Sequence, residues 1–190
     1  MEKLLDTGKV KSIGISNFSK KELETLLKAA KIPPSVHQIE THPYLQQISF
    51  LEFHKKNGIE VTAYSPFGNQ NDVYDAGKEV HPLVEHEIIQ KVAKKHGVSG
   101  AQIALAWGIK RGTAVIPKSV NEERIKTNFE ALKVVDKLDE EDMKNIAGMN
   151  GPHRFNNPSK TWGRKCYEDL EGAWLREPER LFTSTFKSSL

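Results

Sequence analysis

A chain of 190 residues, 28% charged and 37% hydrophobic, is long enough for one domain with a real core and short for two. Its net charge of +3 comes from basic residues interleaved with acids, as in Lys20-Lys21-Glu22 and Asn121-Glu122-Glu123-Arg124, which argues against a nucleic-acid partner. No apolar run approaches the roughly 20 residues of a membrane helix, Met1 opens on a charged segment without a signal-peptide profile, and the single cysteine, Cys166, has no disulfide partner; the expectation is a cytoplasmic chain with no membrane partner.

Residues 1–8 read as a helix end with Gly8 at its C-terminal cap, and Val10 to Ser16 as a strand. Ser19 followed by Glu22 predicts a capping box opening a helix from Lys20 to Ala30, which buries Leu23, Leu26 and Leu27 and cannot continue through Pro33-Pro34. The pattern recurs with a strand over Val36 to Glu40 and a helix over Ser49 to Asn57 closed by Gly58. A third strand, Ile59 to Tyr64, runs into Ser65-Pro66-Phe67-Gly68 and a polar loop to about His81, and loops of that length are usually functional. Helices over Leu83 to His96 and Ser99 to Lys110, a fourth strand over Thr113 to Pro117, and closing helices over Asn121 to Leu132 and Asp139 to Met149 complete the alternation. Short apolar strands alternating with helices call for a parallel sheet with right-handed crossovers.

In such folds ligands bind beyond the C-terminal ends of the strands. Those ends carry Ser16-Asn17, Gln38-Glu40, Tyr64-Ser65 and Lys118-Ser119. Lys118 and Ser119, with Arg124 one helical turn on, suit a phosphate: Lys brings a point charge, Arg a planar fork, and the helix start backbone N–H donors. Each group also has a structural reading. Ser16-Asn17 suits a helix-entry turn, Gln38 a sheet amide, Tyr64 a half-buried core ring, and Lys118-Ser119 a turn into a capped helix.

In their order and spacing, Gly14-Ile15-Ser16-Asn17-Phe18, His37-Gln38-Ile39-Glu40 with His42-Pro43-Tyr44, Ala63-Tyr64-Ser65-Pro66, and Ile116-Pro117-Lys118-Ser119 with Arg124 and Asn128 make a chain that resembles the aldo-keto reductase superfamily over roughly residues 1–160. The resemblance implies an α/β fold, the C-terminal half of a (β/α)8 TIM barrel with four β/α units, a C-terminal loop and a tail. It implies NADP(H) as cofactor and reduction of small aldehydes or ketones, sugar-derived ones included. Ser16, Asn17 and Gln38 would hold the nicotinamide carboxamide and Tyr64 stack on its ring; Ser65 and Phe67 would line the pyrophosphate. Lys118, Ser119 and Arg124 would bind the 2′-phosphate, and Asn128 meet the adenine. Thr127 stands where many members place a Glu that accepts from the adenine amino group.

A barrel of this type takes about 250 residues, and the family's catalytic Asp, Tyr, Lys and His all come from the half that this sequence does not match. No catalytic residue is carried over: Tyr44, Tyr64, Tyr74 and Tyr167 lie outside the proton-donor motif, and His37 and His42 read as structural hydrogen-bonding groups. The resemblance therefore implies a truncated, inactive chain, a fragment or an internal start. Its expected partners are a small carbonyl substrate and either the missing N-terminal half or a second copy. The alternative is a non-catalytic NADP(H)-binding or subunit protein on a reductase scaffold. In domain terms, residues 1–149 form the partial barrel and residues 150–172 resemble the family's loop over the substrate. Phe155 and Trp162 are there either pocket walls or packing for the tail. Residues 173–190 read as a polar, mobile extension.

Overall fold

A computed structural model describes residues 1–68, 80–151, 153–163 and 165–170. The expected functional loop lies mostly, and the polar extension wholly, outside the described residues. Four strands, β1 (Gly14–Ser16), β2 (Val36–Glu40), β3 (Glu60–Tyr64) and β4 (Ala114–Val115), form one sheet in the order β1-β2-β3-β4, every pair parallel. The helices are α1 (Lys20–Ala29), α2 (Ile48–Lys56), α3 (Glu87–His96), α4 (Gly100–Lys110), α5 (Glu122–Glu130), α6 (Glu140–Ala147) and the short α7 (Ser159–Trp162). Sequential parallel order with helical crossovers is the arrangement of neighbouring β/α units in a barrel.

Local chemistry sets the helix ends. The Ser19–Glu22 capping box forms as expected, and Ser99–Gln102 and Asp139–Asp142 form two more. The expected helix over Leu83 to His96 is divided, because His86 takes an extended conformation (φ −58°, ψ 139°). A 3-10 turn at Leu83–Glu85 precedes it, and its ring accepts the Ile88 N–H to cap α3. The N-terminal helix is a 3-10 segment, Glu2–Thr7, ended by Gly8 at φ 69°. The outer strands are shorter than the sequence suggested. The first pairs only over Gly14–Ser16, and Thr113 turns away from the sheet to satisfy Gly108 O with both its N–H and its hydroxyl. Helix α5 gives way to a 3-10 turn at Ala131–Lys133, inside the expected Asn121 to Leu132 span.

One face of the sheet, carrying Ile15, Ile39 and Val61, packs with Leu23, Phe50 and Ile59 beneath α1 and α2. A second core gathers Ile89, Val92, Ile103, Trp107, Leu138 and Ile146 from α3, α4 and α6. Helix α4 is buried on nearly every side, so its apolar residues need no amphipathic stripe. Alternation puts Ser16, Gln38, Thr62 and Tyr64 on the opposite face, where Gln38, Thr62 and Tyr64 are half-buried and Ser16 exposed. No helix among the described residues is long and apolar enough to cross a membrane.

Candidate functional site

Register brings the first group of polar strand ends together. Ser16, Gln38, Thr62 and Ala114 form one row across the four strands, and Glu40 and Tyr64 the next row toward the C-terminal ends. Beyond β1 the chain turns through Asn17 in the left-handed region (φ 57°), the N–H of Asn17 donating to Gln38 O at 3.0 Å. Ser65, just past β3, is also left-handed (φ 48°), and Gly68 N–H closes the turn onto Ser65 O at 2.8 Å. Non-glycine residues in this region are uncommon and concentrate at functional turns. Two of them follow β1 and β3, the strands on either side of β2, on the same rim.

The second group stands at the turn from β4 into α5. Asn121 caps α5 by accepting the Arg124 N–H at 2.9 Å, and Ser119 Oγ accepts the Asn121 N–H at 3.1 Å. Arg124 and Asn128, four residues apart, share one helix face. Lys118 and Arg124 are exposed and neither forms an ion pair among the described residues, whereas Lys126 holds both local carboxylates, Glu122 at 3.0 Å and Glu123 at 3.2 Å. The turn thus offers two unneutralised cations to an anion. Asn128 is half-buried and borders an apolar groove of about 460 Å³ with Val115, Pro117, Ile125 and Phe129.

Phe67, expected at the pyrophosphate, is half-buried against the second core. Phe155 is 2% exposed. Its ring stacks on His42 at 5.3 Å and on His153 at 6.3 Å, so it packs the tail onto the body of the fold. Trp162 is 59% exposed and, with Asn17, borders a polar cleft of about 230 Å³ that also takes in Ser19, Lys21, Tyr167 and Asp169. The structure thereby brings the tail residue Trp162 and the strand-end residue Asn17 to one cleft.

A buried network that sequence reasoning missed holds this tail over the rim. Glu40, 0% exposed, accepts Phe155 N–H at 2.7 Å, Asn156 N–H at 2.9 Å and His42 Nε2–H at 3.1 Å. Burial pushes the Glu40 carboxyl up, but the His42 hydrogen bond and charge, the Arg154 charge and the Phe155 amide together outweigh it and hold it below its ordinary value. Arg154 Nη2 donates to Gln47 Oε1 at 3.0 Å and its guanidinium lies 4.5 Å from the Tyr167 ring centroid; burial pushes the Tyr167 phenol up to about 12. Asn156 Nδ2 donates to Ser65 Oγ at 3.2 Å, and the Asp169 carboxylate accepts the Lys21 N–H at 2.7 Å. A carboxylate at the end of β2 and an arginine in the tail were the available signals. Among the described residues no group of three or more His, Cys, Asp or Glu side chains is placed to hold a metal ion.

The Aldo/keto reductase family model matches residues 1–150. The chain is 56% identical over 158 residues to an uncharacterized oxidoreductase of Schizosaccharomyces pombe, covering 82% of this chain and 47% of that protein. It is 48% identical over 162 residues to the NADPH-dependent D-xylose reductase of Meyerozyma guilliermondii, covering 83% and 50%. A crystal structure of an aldo-keto reductase from a Medee basin deep-sea metagenome library superposes with a TM-score of 0.71 at 42% identity, covering 82% of this chain and 55% of that one. The chain spans about half the length of the curated relatives it matches. Its α/β fold accordingly corresponds to part of a (β/α)8 barrel. The chain belongs to the aldo/keto reductase family.

Proposed function

We propose that this chain is the NADP(H)-binding part of a reductase acting on small aldehydes or ketones, sugar-derived ones included. The observation that carries this reading is the pairing of two polar clusters on one rim of a parallel sheet. One, at β1 to β3, offers hydroxyl and amide groups, and the other, at the β4–α5 turn, offers two cations with no carboxylate partner among the described residues. The donor set fits a dinucleotide with an extra phosphate. Ser16, Asn17 and Gln38 suit a carboxamide, Tyr64 a flat ring, and Ser65 and Phe67 the linking pyrophosphate. Lys118, Ser119 and Arg124 suit a 2′-phosphate, which a bare ribose hydroxyl does not replace, and Asn128 the adenine end. That a similar protein is named an NADPH-dependent D-xylose reductase supports both the cofactor and the substrate class.

When bound, the nicotinamide supplies the hydride. Ser16, Asn17 and Gln38 would orient its ring and Tyr64 would stack on it, while Phe155 packs the tail down and Trp162 borders the cleft that Asn17 also lines. Reduction of a carbonyl also needs a positioned acid for the developing alkoxide. None of Tyr44, Tyr64 and Tyr167 stands as a proton donor in this reading, so the acid comes from a segment outside these 190 residues, carried by the other half of a barrel. The chain alone then binds cofactor without turnover, in the cytosol, where its single cysteine stays reduced.

Fluorescence titration of the purified chain with NADPH, alongside NADPH oxidation with a generic aldehyde and with D-xylose, tests the reading. Binding without turnover is expected. Turnover by the chain alone refutes the assignment of the acid elsewhere, and folded protein that fails to bind refutes the cofactor reading. The second reading, a non-catalytic NADP(H)-binding subunit, gains if supplying the missing half leaves the chain inactive.

A further inference from the structure

Two histidines without any role in the site so far form a closed hydrogen-bonded chain beneath it. His37 on β2 is 0% exposed and His54 on α2 is 1% exposed. His54 Nδ1 lies 2.6 Å from Phe50 O, and a carbonyl only accepts, so Nδ1 carries the proton and His54 Nε2 a lone pair. His37 Nδ1, 2.7 Å from that lone pair, must then donate to it. His37 Nε2 is left as an acceptor, and it receives the N–H of Phe18 at 3.1 Å. Reading from the other end gives the same answer, since a backbone N–H only donates. Both rings are neutral in fixed tautomers, and a proton added to either acceptor nitrogen would break the chain.

The chain ends on the turn that carries Asn17. Asn17 N–H is bound to Gln38 O and Phe18 N–H to His37 Nε2, so two successive amides are tied to two successive residues of β2. Ser19 then starts α1 through its capping box. The Phe18 ring meets the His37 ring edge-on at 6.2 Å, and His37 meets Phe50 edge-on at 5.8 Å. Asn17, left-handed at φ 57°, sits between these fixed points with its side chain exposed toward the rim. An asparagine released from such ties relaxes readily to the favoured φ < 0 regions.

We propose that His37, braced by His54, is a positioning residue that holds Asn17 in its left-handed conformation for the nicotinamide end of the cofactor. The inference rests on the cofactor reading above and adds to it a residue pair that touches no ligand. The two ends of NADPH allow a selective test, because adenosine 2′,5′-bisphosphate engages only the Lys118, Ser119, Arg124 and Asn128 end.

Calorimetric titration of the full 190-residue chain with NADPH and with adenosine 2′,5′-bisphosphate is compared for wild type, His37→Leu, His54→Leu and His37→Gln. Losing one positioned hydrogen bond predicts about tenfold weaker NADPH binding for His37→Leu, with bisphosphate affinity kept within about twofold because that site is remote. His54→Leu, which removes the brace without touching the Asn17 turn, is expected to move NADPH binding in the same direction. His37→Gln, whose amide oxygen can accept the Phe18 N–H, is expected to restore most of it. Equal losses for both ligands across the leucine variants, or no loss for either, overturn the positioning role. If wild type binds the bisphosphate and the leucine variants bind NADPH like wild type, the cofactor reading stands and the positioning role fails. If wild type binds neither ligand, both fail together.

Discussion

Glu40, fully buried at the end of β2, accepts the backbone N–H of Asn156 at 2.9 Å across a separation of 116 residues, and the same Asn156 reaches Ser65 Oγ with its side chain. A single carboxylate thus ties the tail to the sheet and places a tail amide on the rim turn. Its partners, two backbone amides, His42 and the nearby Arg154, would all be left buried if it were removed. Glu40→Ala is therefore expected to cost about 3–5 kcal/mol, the range for breaking a buried charged network. Glu40→Gln, which keeps an acceptor, should cost about 1–3 kcal/mol. Urea denaturation measures both, and tryptic cleavage at Arg154, slow in wild type, should accelerate in both variants.

The same carboxylate gives a sign to acid stability. Its folded pKa is held below the ordinary 4.5, so its contribution is fully present above that value and is lost as pH falls through the folded pKa. The stability of Glu40→Gln should accordingly fall less steeply than that of wild type below pH 4.5.

His37 adds a second, higher window. Burial, helped by the repulsion that a protonated His54 would exert, lowers its pKa from 6.5 to about 3. The unfolded chain then binds more protons than the folded one between those limits. Stability drops on acidification across that range, by at most about 1.4 kcal/mol per pH unit for this group. Burial also lowers His54 and His153, so His37→Leu should remove part of the slope and not all of it. Denaturation midpoints at pH 7, 5.5 and 4 measure this; an unchanged slope in His37→Leu would mean the imidazole is not held neutral.

Much of this architecture was legible because its causes are local. The Ser19–Glu22 box spans four residues, and the extent of β2 follows from the Pro33-Pro34 stop before it and the turn after it. The polar residues at the ends of β1 to β4 were visible for the same reason. Strand ends at the outer positions were not, since Thr113 chooses between the sheet and the C-terminus of α4 only once Gly108 O is in reach. Nor was the function of Glu40, whose partners lie 115 and 116 residues away and are mostly backbone N–H groups that every sequence contains. The His37–His54 chain depends on α2 packing against β2, which composition does not reveal.

Close packing at the start of α4 makes another prediction. A Cβ on Gly100 would lie 2.1 Å from Val84 O and 3.0 Å from Ile89 Cγ2, and the first of these is backbone fixed by the turn before α3. Alanine is the better helix former by about 1 kcal/mol, yet overpacking of this kind costs about 1–3 kcal/mol and more when backbone must move. Gly100→Ala is expected to be destabilising, read as a lower urea midpoint at unchanged slope. A stabilised variant would show that α4 can shift away from Val84 at little cost.

The last prediction concerns discrimination between cofactors at the β4–α5 turn. Lys118 and Arg124 lack carboxylate partners among the described residues, while Lys126, two positions beyond Arg124, is neutralised by Glu122 and Glu123. If the first two meet a 2′-phosphate, each contributes a charge-assisted hydrogen bond of about 1.5–3 kcal/mol, so Lys118→Ala or Arg124→Ala should weaken NADPH binding about 10- to 100-fold. NADH, which lacks that phosphate, should bind the variants as it binds wild type. Salt supplies an independent check, because screening weakens exposed charge pairs: raising ionic strength should weaken NADPH binding more for wild type than for either variant. Parallel losses for NADPH and NADH would place the two cations at the shared pyrophosphate instead, and the turn would then carry no preference between the cofactors.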